Sequence, residues 1–450
     1  MNKTFRIFSF GCKVNQEEGY GLAALFTSKG WQEAMPGKES ALNIVNACAV
    51  TQTAEKKARA LIRRLRRENP ASLLVVSGCY AQVAAEQIAA LNAVDIIAGL
   101  NERTILPDLV EQFLLEKQPQ LKVADISKNA AFISLGPARR QKRARAYLKI
   151  EDGCGQFCHY CIIPLARGPV RSLPLKEVVA EARELVQAGH KELVLSGIHI
   201  GAYGEDLGPE HNLSSLIENI LALPGEFRLR LGSIEPGQFS ADLMRLWAYE
   251  QAICPHLHIP LQSGSDRVLA AMNRNYLTAD YLSLLTELRG KRPNCAITSD
   301  VMVGYPGEST EDFAKTLAFC EQMAFARLHV FPYSKRPGTV AAALPNQIPN
   351  KEKERRAALL GHLANKLSFV YASSFIGAEL EYLHEQQIII QEQPYFSGHS
   401  ANYLSLLLPL SPQPPSDLCM VKVQEFREGY LFANLLNSAA QSRSSSIRSS

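Results

Sequence analysis

The sequence predicts an α/β protein made of an N-terminal parallel α/β domain, a partial (βα)6 barrel and a small C-terminal β-barrel. Three observations lead to this prediction. Strand and helix patterns alternate through residues 1–125, which is typical of a parallel sheet with helices on its faces. The alternation restarts at Ala146 and gives six strand–helix units, fewer than the eight of a closed barrel. After about residue 368, short strand patterns follow one another without helices between them.

The length of the chain indicates more than one domain. Its 450 residues are too many for one ordinary hydrophobic core, so two or three domains are expected. The changes of pattern predict domains at 1–125, 140–367 and 370–436. The serine-rich tail at 437–450 has low complexity and is expected to be disordered.

The first domain is expected to hold four strands and two well-marked helices. The expected strands are Phe5–Phe10, Leu42–Val45, Leu73–Ser77 and Val94–Ala98. The expected helices are Glu17–Lys29 and Thr53–Arg67, and the second is amphipathic, with apolar residues on one face and arginines on the other.

The second domain is expected to be an open barrel of six strands with helices between them, such as Lys176–Ala188, which Gly189 ends as a C-cap. The expected strands are Tyr147–Ile150, Glu192–Ser196, Phe227–Gly232, Leu257–Leu261, Ala296–Val303 and Leu328–Phe331.

The third domain is expected to be a small barrel of five short strands, an architecture that often binds nucleic acid. The expected strands are Glu379–His384, Ile388–Gln391, Tyr403–Leu408, Met420–Gln424 and Tyr430–Leu435.

Composition and charge narrow the class of protein. The chain is 46% hydrophobic and 20% charged, as in soluble globular proteins, and no apolar run is long enough to span a membrane. The N-terminus lacks the pattern of a secretory signal, so we expect a cytoplasmic protein without a membrane partner. The net charge of +4 is mild, but two basic clusters could neutralise phosphates or form solvated surfaces. They are Arg63, Arg64, Arg66 and Arg67, and Arg139, Arg140, Lys142, Arg143 and Arg145.

Three of the ten cysteines follow predicted strands of the first domain. Cys12, Cys48 and Cys79 end the segments FSFGC, NIVNAC and VVSGC. The carboxyl ends of parallel strands meet at one edge of a sheet, so these three thiols are expected to converge. Cysteines in a cytoplasmic chain favour metal or redox chemistry over disulfides, and converging thiolates suit an iron–sulfur cluster. The alternative is that all three are buried core residues.

Three further cysteines form a compact motif after the first strand of the second domain. Cys154, Cys158 and Cys161 have the spacing C-x3-C-x2-C in IEDGCGQFCHYC. A structural zinc site normally closes with four ligands. His159 could be a fourth ligand, but its position between two cysteines favours a surface residue. A 4Fe–4S cluster with three protein ligands leaves one iron open to chelate a small molecule and to pass it an electron.

This motif, with Tyr160 before its last cysteine, resembles the signature of radical S-adenosylmethionine (SAM) enzymes. The resemblance implies that the open iron binds the amino and carboxylate groups of SAM. It also implies that an electron from the cluster splits SAM into methionine and a 5′-deoxyadenosyl radical.

The order of the three domains resembles the methylthiotransferases over about residues 3–436. The segments GCKVNQ (11–16), NACAVT (46–51), GCYAQ (78–82), SGIHIGAYG (196–204) and LGSIEPG (231–237) resemble the subgroup that acts on threonylcarbamoyladenosine. The last domain resembles the TRAM domain of that family. The resemblance implies that a methylthio group is added to carbon 2 of adenosine 37, beside the anticodon of tRNA.

The resemblance also implies a role for each cysteine triad. Cys154, Cys158 and Cys161 are expected to hold the SAM-cleaving 4Fe–4S cluster, and Cys12, Cys48 and Cys79 an auxiliary 4Fe–4S cluster that carries the inserted sulfur. One SAM would methylate that sulfur, and a second would supply the radical that removes hydrogen from the base. The expected partners are the tRNA anticodon loop, an electron donor such as flavodoxin or ferredoxin, and a sulfur source.

Further residues at strand ends are candidates for contact with SAM or with tRNA. The candidates for cofactor binding are Tyr160, Ser196, Gly197, Glu235, Gln262 and Asp300, which could also be ordinary polar residues at strand termini. Arg167 and Arg171 are candidates for the SAM carboxylate or a tRNA phosphate, with a surface charge as the alternative. The cysteines without a motif are expected to be structural: Cys254, Cys295, Cys320 and Cys419.

Two other functions remain open from the sequence. A radical SAM enzyme on the same scaffold could instead act on isopentenyladenosine in tRNA or on an aspartate of a ribosomal protein. A non-catalytic iron–sulfur protein that binds RNA would keep the basic clusters and the small barrel, but it would not need an open iron.

Overall fold

The computed structural model describes residues 3–35, 37–128, 131–136, 144–412 and 414–436. The predicted tail and the basic residues at 139, 140, 142 and 143 lie outside these ranges. The strands are β1 (Thr4–Ser9), β2 (Gln32–Glu33), β3 (Leu42–Asn46), β4 (Leu73–Ser77), β5 (Ile96–Ala98), β6 (Gln120–Lys122), β7 (Arg145–Lys149), β8 (Glu151–Asp152), β9 (Arg171–Ser172), β10 (Glu192–Ser196), β11 (Arg228–Arg230), β12 (His256–His258), β13 (Ala296–Val303), β14 (Arg327–Pro332), β15 (Glu379–Ile390), β16 (Gln393–Ser400), β17 (Ser405–Pro409), β18 (Leu418–Arg427) and β19 (Tyr430–Leu435).

The helices surround the first two domains and lead into the third. They are α1 (Lys13–Ser28), α2 (Gln52–Glu68), α3 (Cys79–Ala89), α4 (Leu106–Glu116), α5 (Ile163–Arg167), α6 (Leu175–Gln187), α7 (Leu213–Leu221), α8 (Ala241–Tyr249), α9 (Asp266–Ala271), α10 (Thr278–Lys291), α11 (Thr310–Met323), α12 (Val340–Ala343) and α13 (Asn350–Ser373). Within the described ranges, no helix has both the length and the apolar character needed to cross a membrane.

The N-terminal domain is a six-stranded parallel sheet in the order β2-β1-β3-β4-β5-β6. Its central strands β3 and β4 are buried at every residue, because helices cover both faces of the sheet. The parallel sheet is confirmed, but the sequence missed β2 and β6. These edge strands have two and three residues and too few apolar positions to give a strand pattern.

The second domain has six parallel strands that run in chain order around an open barrel. Strands β7, β10 and β11 form one sheet and β12, β13 and β14 another, and bridges from Leu229 to Ile253 and from Ser233 to His258 join them. Apolar residues of the strands pack outward against the helices. A polar face therefore lines the concave interior, which we call the lumen.

The third domain is a closed barrel in the order β15-β16-β17-β19-β18. The number of strands agrees with the prediction, but the predicted strands are not all observed. The segments expected at Glu379–His384 and Ile388–Gln391 are one strand, β15, which a bulge between His384 and Gln386 bends. Strand β16 was not predicted, because its sequence QPYFSGHS carries a proline, a glycine and several polar residues.

A buried ionic network joins the N-terminal domain to the barrel core. Glu18 on α1 and Asp152 on β8 are both buried, and four cations surround them. Lys149 Nζ lies 2.7 Å from an oxygen of each carboxylate, and Arg167 Nη1 lies 2.8 Å from Glu18 and 2.9 Å from Asp152. Arg103 and Arg171 complete the network. Although burial alone would raise the pKa of both carboxyls, these cations hold it well below the usual value.

This network corrects the sequence analysis at Arg167 and Arg171. Neither arginine is a surface charge, because both are buried. Arg167 donates to Glu18, Asp152 and the amide oxygen of Asn15, and Arg171 donates to the Arg167 carbonyl at 2.6 Å. Their observed partners are protein groups that join two domains.

Only part of the basic cluster on α2 is exposed and available to bind phosphates. Arg63, Arg64 and Arg67 are exposed, whereas Arg66 is half-buried and bonds Asp95 at 2.6 Å and the carbonyls of Ala93, Pro70 and Ser72. In the second cluster, the prediction for Arg145 was wrong, because its side chain is buried in a further ionic cluster of the barrel.

That second ionic cluster fixes the third domain beneath the barrel. Glu192 on β10 is fully buried and pairs with Arg145, Arg228 and Arg230 at 2.8, 2.6 and 2.8 Å. The same arginines reach the third domain: Arg145 and Arg228 pair with Glu385 and Glu381. Arg230 donates to the carbonyls of Ser400 and Ala401. The C-terminal barrel thus closes the amino-terminal end of the lumen.

We predict that Glu192→Gln lowers the free energy of unfolding of the full chain by about 3 kcal/mol, because buried arginines lose their carboxylate partner. The matched control is Glu218→Gln, which removes a surface pair with Arg245 and should cost less than about 0.5 kcal/mol. Urea denaturation of both variants checks this. Equal midpoints would show that the Glu192 cluster contributes no net stability.

Candidate active site

The N-terminal cysteine triad lies at the carboxyl edge of the first sheet, as the sequence predicted. Cys12 is the exposed N-cap of α1, Cys48 follows β3, and Cys79 is the first residue of α3 after β4. Gly11 brings the Cys12 loop against Cys48 with φ +102°. A Cβ at Gly11 would lie 2.3 Å from Cys48 Cβ and 2.7 Å from its sulfur, so only glycine fits this approach.

Burial and nearby charges act on these thiols in opposite directions. Burial raises the pKa of Cys79 to about 12, while Arg167 acts to lower it. Burial also raises the pKa of Cys48, and neighbouring Cys12 adds to the rise. Asn15 connects the two groups, since its amide oxygen lies 3.8 Å from the Cys79 sulfur and 2.8 Å from Arg167 Nη2. Excess positive charge of the ionic network therefore lies beside this triad and favours an anionic ligand.

The second triad lies in a loop that a short antiparallel pair closes at its base. Strands β8 and β9 pair, and the Cys154 amide donates to the Gly168 carbonyl at 3.1 Å. The Cys161 amide donates to the Cys158 carbonyl at 2.9 Å, which folds the motif into a tight turn. All three thiols are free.

His159 and Tyr160 within this loop anchor it to the barrel. The prediction of a surface position for His159 was wrong: the residue is half-buried, and its Nδ1 lies 2.8 Å from the Ala271 carbonyl. Its backbone also bonds Met272 and Ala341. Tyr160 packs against an apolar cluster that includes Met302.

Two thiols of the core triad, those of Cys154 and Cys161, have a raised pKa. Burial raises the pKa of Cys154 to about 11 and that of Cys161 to about 12. Arg274 Nη1 lies 3.3 Å from the Cys158 sulfur, and its Nη2 pairs with Glu235. A thiol in such a setting ionises when it binds a metal, and an adjacent guanidinium stabilises the resulting charge.

The spacing of the thiols fits a multi-iron cluster better than a single ion. In a tetrahedral site with metal–sulfur bonds of about 2.3 Å, ligand sulfurs are about 3.8 Å apart. Among the described residues, neither triad has all three sulfur atoms within 4.8 Å of one another. A four-iron cluster holds its thiolates further apart because each binds a different iron. Three free thiols at each site therefore fit the ligand set of a 4Fe–4S cluster that keeps one iron open.

The candidate cofactor residues at strand ends fall into two groups. Ser196 donates its hydroxyl to Glu17 of α1, and a Cβ at Gly197 would lie 2.7 Å from the Glu151 carboxylate. Burial raises the pKa of Glu17 to about 7 and that of Glu151 to about 8, which makes both carboxyls poor anions at neutral pH. This first group lies where β10 meets the N-terminal domain.

The second group faces the lumen. Glu235 follows β11, and burial raises its pKa while Arg274 and His258 lower it. Asp300 Oδ2 lies 3.4 Å from His258 Nε2. Gln262 adopts φ +64° and is held by backbone bonds to Asp300 and Met302, and its buried side-chain oxygen has no hydrogen-bond partner in the described chain.

Charged side chains of the lumen connect the two cysteine triads. Arg274 contacts Cys158 and Glu235, and Glu235 lies within electrostatic reach of His258 and Asp300. Lys13, the residue after Cys12, lies within electrostatic reach of Asp300 and of His329. Both triads therefore open towards one lumen, although Cys154 lies 75 positions after Cys79 in the chain.

The sequence analysis missed several residues of this lumen. Lys13 could have been found from its position beside Cys12. Arg274, His258 and His329 gave no signal, because only the closure of the barrel brings them to the cysteines.

Comparisons with known proteins agree with this architecture. Residues 4–99 match the family described as uncharacterized protein family UPF0004, and residues 148–320 match the radical SAM superfamily. The chain is 37% identical over 431 residues to the threonylcarbamoyladenosine tRNA methylthiotransferase MtaB of Bacillus subtilis, covering 95% of this chain and 94% of the relative. It is 31% identical over 455 residues to the tRNA-2-methylthio-N(6)-dimethylallyladenosine synthase of Lawsonia intracellularis, covering 97% and 99%.

A solved structure shares the fold at low sequence identity. The radical S-adenosylmethionine methyltransferase TsrM of Kitasatospora setae, with cobalamin and a [4Fe-4S] cluster bound, aligns with a TM-score of 0.55 and 13% identity. The alignment covers 76% of this chain and 77% of that chain. The likeness shows the fold alone and carries no argument about substrate.

We predict that the triple variant Cys154→Ala, Cys158→Ala and Cys161→Ala loses about half of the iron of anaerobically reconstituted protein, which should hold about eight atoms in two clusters. The matched control replaces Cys254, Cys295 and Cys320, which are buried in the same domain, and should keep all of it. Iron and sulfide analysis gives the result. Full iron in the first variant would contradict the assignment of the motif.

We predict that Gly11→Ala loses the iron of the N-terminal triad alone, again about half of the total, because its methyl group would overlap Cys48. Gly30→Ala is the control, since Gly30 also has a positive φ, +81°, but has no atom within 4 Å of the added carbon. If both variants keep full iron, the close approach at Gly11 does not shape the site.

Proposed function

This chain belongs to the tRNA methylthiotransferase family of radical SAM enzymes, and we propose that it adds a methylthio group to carbon 2 of threonylcarbamoyladenosine at position 37 of tRNA. The relatives matched over most of their length carry names of this reaction or of the related reaction on dimethylallyladenosine. The observation that carries the proposal is the opening of two cysteine triads onto one lumen.

In this proposal each triad holds one 4Fe–4S cluster. Cys154, Cys158 and Cys161 hold the cluster that binds SAM, and Cys12, Cys48 and Cys79 hold the auxiliary cluster. When bound, the first cluster with SAM supplies a radical that removes hydrogen from the base, and the auxiliary cluster supplies the sulfur that becomes methylated and inserted.

The residues around the lumen then bind and orient the reactants. The ion pair of Arg274 with Glu235 lies against Cys158 and keeps the Glu235 carboxylate available to the hydroxyls or the amino group of SAM. Gly197 leaves room beside Glu151, where any larger residue would displace the carboxylate. Gln262 offers a buried amide oxygen without a partner in the described chain. Tyr160 holds the cysteine loop in place through its apolar packing.

Phosphate contacts by exposed cations position the tRNA in this proposal. Arg63, Arg64 and Arg67 are exposed on α2, and Arg327 is exposed at the start of β14. Arg327 lines a cleft of about 710 Å³ between β14, α13 and the C-terminal barrel, and this cleft reaches the lumen at His329 and Tyr403. Adenosine 37 must leave its neighbours to enter the lumen, which an anticodon loop permits more easily than a duplex.

The reaction also requires an electron donor and a source of sulfur. We propose a flavodoxin or a ferredoxin as the electron donor, a sulfur source that refills the auxiliary site, and a cytoplasmic location where tRNA is available. The exposed thiol of Cys12 is the part of the auxiliary triad that such a source can reach, because Cys48 and Cys79 are buried.

Nucleoside mass spectrometry of tRNA tests the proposed function. Cells that lack this modification and express the chain should gain 2-methylthio-threonylcarbamoyladenosine. Cys12→Ala and Cys154→Ala should abolish the product, because each removes one ligand of a cluster, and Cys419→Ala in the C-terminal barrel should keep it. A 2-methylthio product of dimethylallyladenosine would assign the related substrate instead, and the absence of both products would refute the proposal.

A further inference from the structure

A lysine beside the auxiliary triad lies in the lumen and forms no ion pair with a described residue. Lys13 directly follows Cys12 and is exposed. Its Nζ lies 5.4 Å from the centre of the Tyr403 ring, and that ring lies 4.9 Å from the ring of His256 on β12. No described carboxylate lies within 4.0 Å of Lys13 Nζ. An ammonium in this position is available to an anion that enters the lumen.

Other cations around the lumen are already neutralised. Arg145, Arg228 and Arg230 share Glu192, which is fully buried. Arg274 pairs with Glu235. Lys13 differs from these four because no described carboxylate forms an ion pair with it, and its ammonium contacts only the face of the Tyr403 ring among the described aromatic residues.

His258, Asp300 and His329 lie on the three adjacent strands β12, β13 and β14 and form a wall of the lumen, and Lys13 is within electrostatic reach of Asp300 and His329. One ligand-type atom from each lies within 4.8 Å of the others, and the two imidazole rings are 5.8 Å apart. Two histidines and a carboxylate could hold a metal ion. However, both ring nitrogens of His258 are engaged: Nδ1 lies 3.0 Å from Thr298 Oγ1, and Nε2 lies 3.4 Å from Asp300.

This arrangement leaves two hydrogen-bond groups free for a ligand. The Asp300 carboxylate lies 3.4 Å from His258 Nε2, so it already has a partner within the wall. His329 is open to solvent, and its ring forms no hydrogen bond with another described residue. Lys13 can donate three hydrogen bonds and the neutral imidazole of His329 can donate one. The free pair suits a carboxylate.

The proposed substrate carries its carboxylate on the same edge of the base as the reacting carbon 2. In adenine, carbon 2 and the carbon that bears N6 both flank ring nitrogen 1, so the reacting carbon and the N6 substituent lie on one edge. The threonylcarbamoyl substituent ends in a free carboxylate, whereas a dimethylallyl substituent is apolar. A base with carbon 2 directed at the Cys12 triad therefore brings its substituent near the next residue, Lys13.

We propose that Lys13 and His329 bind the carboxylate of the N6 substituent, and that they select an adenosine bearing an amino acid over one bearing an apolar group. This inference rests on the proposed function and adds the group that recognises the substrate. Lys13 is a specificity residue here: it contacts the substituent and takes no part in hydrogen removal or sulfur transfer.

The expected effect is a loss of discrimination between substrates. A hydrogen bond between two charged groups contributes enough to change an affinity by about tenfold or more. Removal of Lys13 leaves the substrate carboxylate near Asp300 without its counter-charge, while a neutral substituent gains or loses little.

The test uses anaerobic holoenzyme with three anticodon stem-loop RNAs of identical sequence. Position 37 carries threonylcarbamoyladenosine, its methyl ester, or dimethylallyladenosine, so that the first two differ by one methyl group, which removes the negative charge. The variants are Lys13→Met, Lys13→Arg, and the control Lys122→Met, an exposed lysine on the far edge strand β6. Dissociation constants come from fluorescence anisotropy, kcat/KM from product formation, and integrity from iron content and 5′-deoxyadenosine release.

Wild type and Lys122→Met should bind the free acid about tenfold more tightly than the ester. Lys13→Met should bind both equally with unchanged iron, and Lys13→Arg should recover part of the preference. If Lys13→Met keeps the wild-type preference, or if wild type shows none, the inference is wrong. A wild type that modifies only dimethylallyladenosine would instead refute the proposed function, because that result does not depend on any Lys13 variant.

Discussion

The buried network of Glu18 and Asp152 is the constraint on which the active site depends. The two carboxylates belong to different domains, and each is within 3 Å of both Lys149 and Arg167. Breaking such a pair leaves buried charges without partners, which is strongly unfavourable. The domains are therefore held in one relative position, and the two cysteine triads with them.

The network also determines the electrostatics of the site. Arg167 ends the short helix that follows Cys161, and it reaches through Asn15 to Cys79. One guanidinium thus connects the loop of the core triad with the thiols of the auxiliary triad. Four cations around two carboxylates leave positive charge beside Cys48 and Cys79, which would stabilise the negative charge of a thiolate-bound cluster at the proposed auxiliary site.

Much of this architecture could be predicted from the sequence, because it follows from local patterns. The apolar runs of β3 and β4, the repeated strand–helix units and the cysteine spacing each depend on residues close together in the chain. The edge strand β2 and the barrel strand β16 were missed because pairing, rather than apolar content, defines them. The sequence analysis offered Arg167 and Arg171 to SAM or a tRNA phosphate, and Arg145 to phosphates. Their carboxylate partners include residues of other domains, and no local signal distinguishes such a buried arginine from an exposed one.

Tyr403 places one aromatic ring at the junction of all three domains. It stacks on His399 of its own barrel and lies over Arg145 and Arg230 of the core, with Lys13 of the first domain at 5.4 Å. The C-terminal barrel is consequently not an interchangeable module. A chimera that received this barrel from a relative would need a matching tyrosine loop and matching arginines, so recombination between family members is confined to partners that share both halves of the junction.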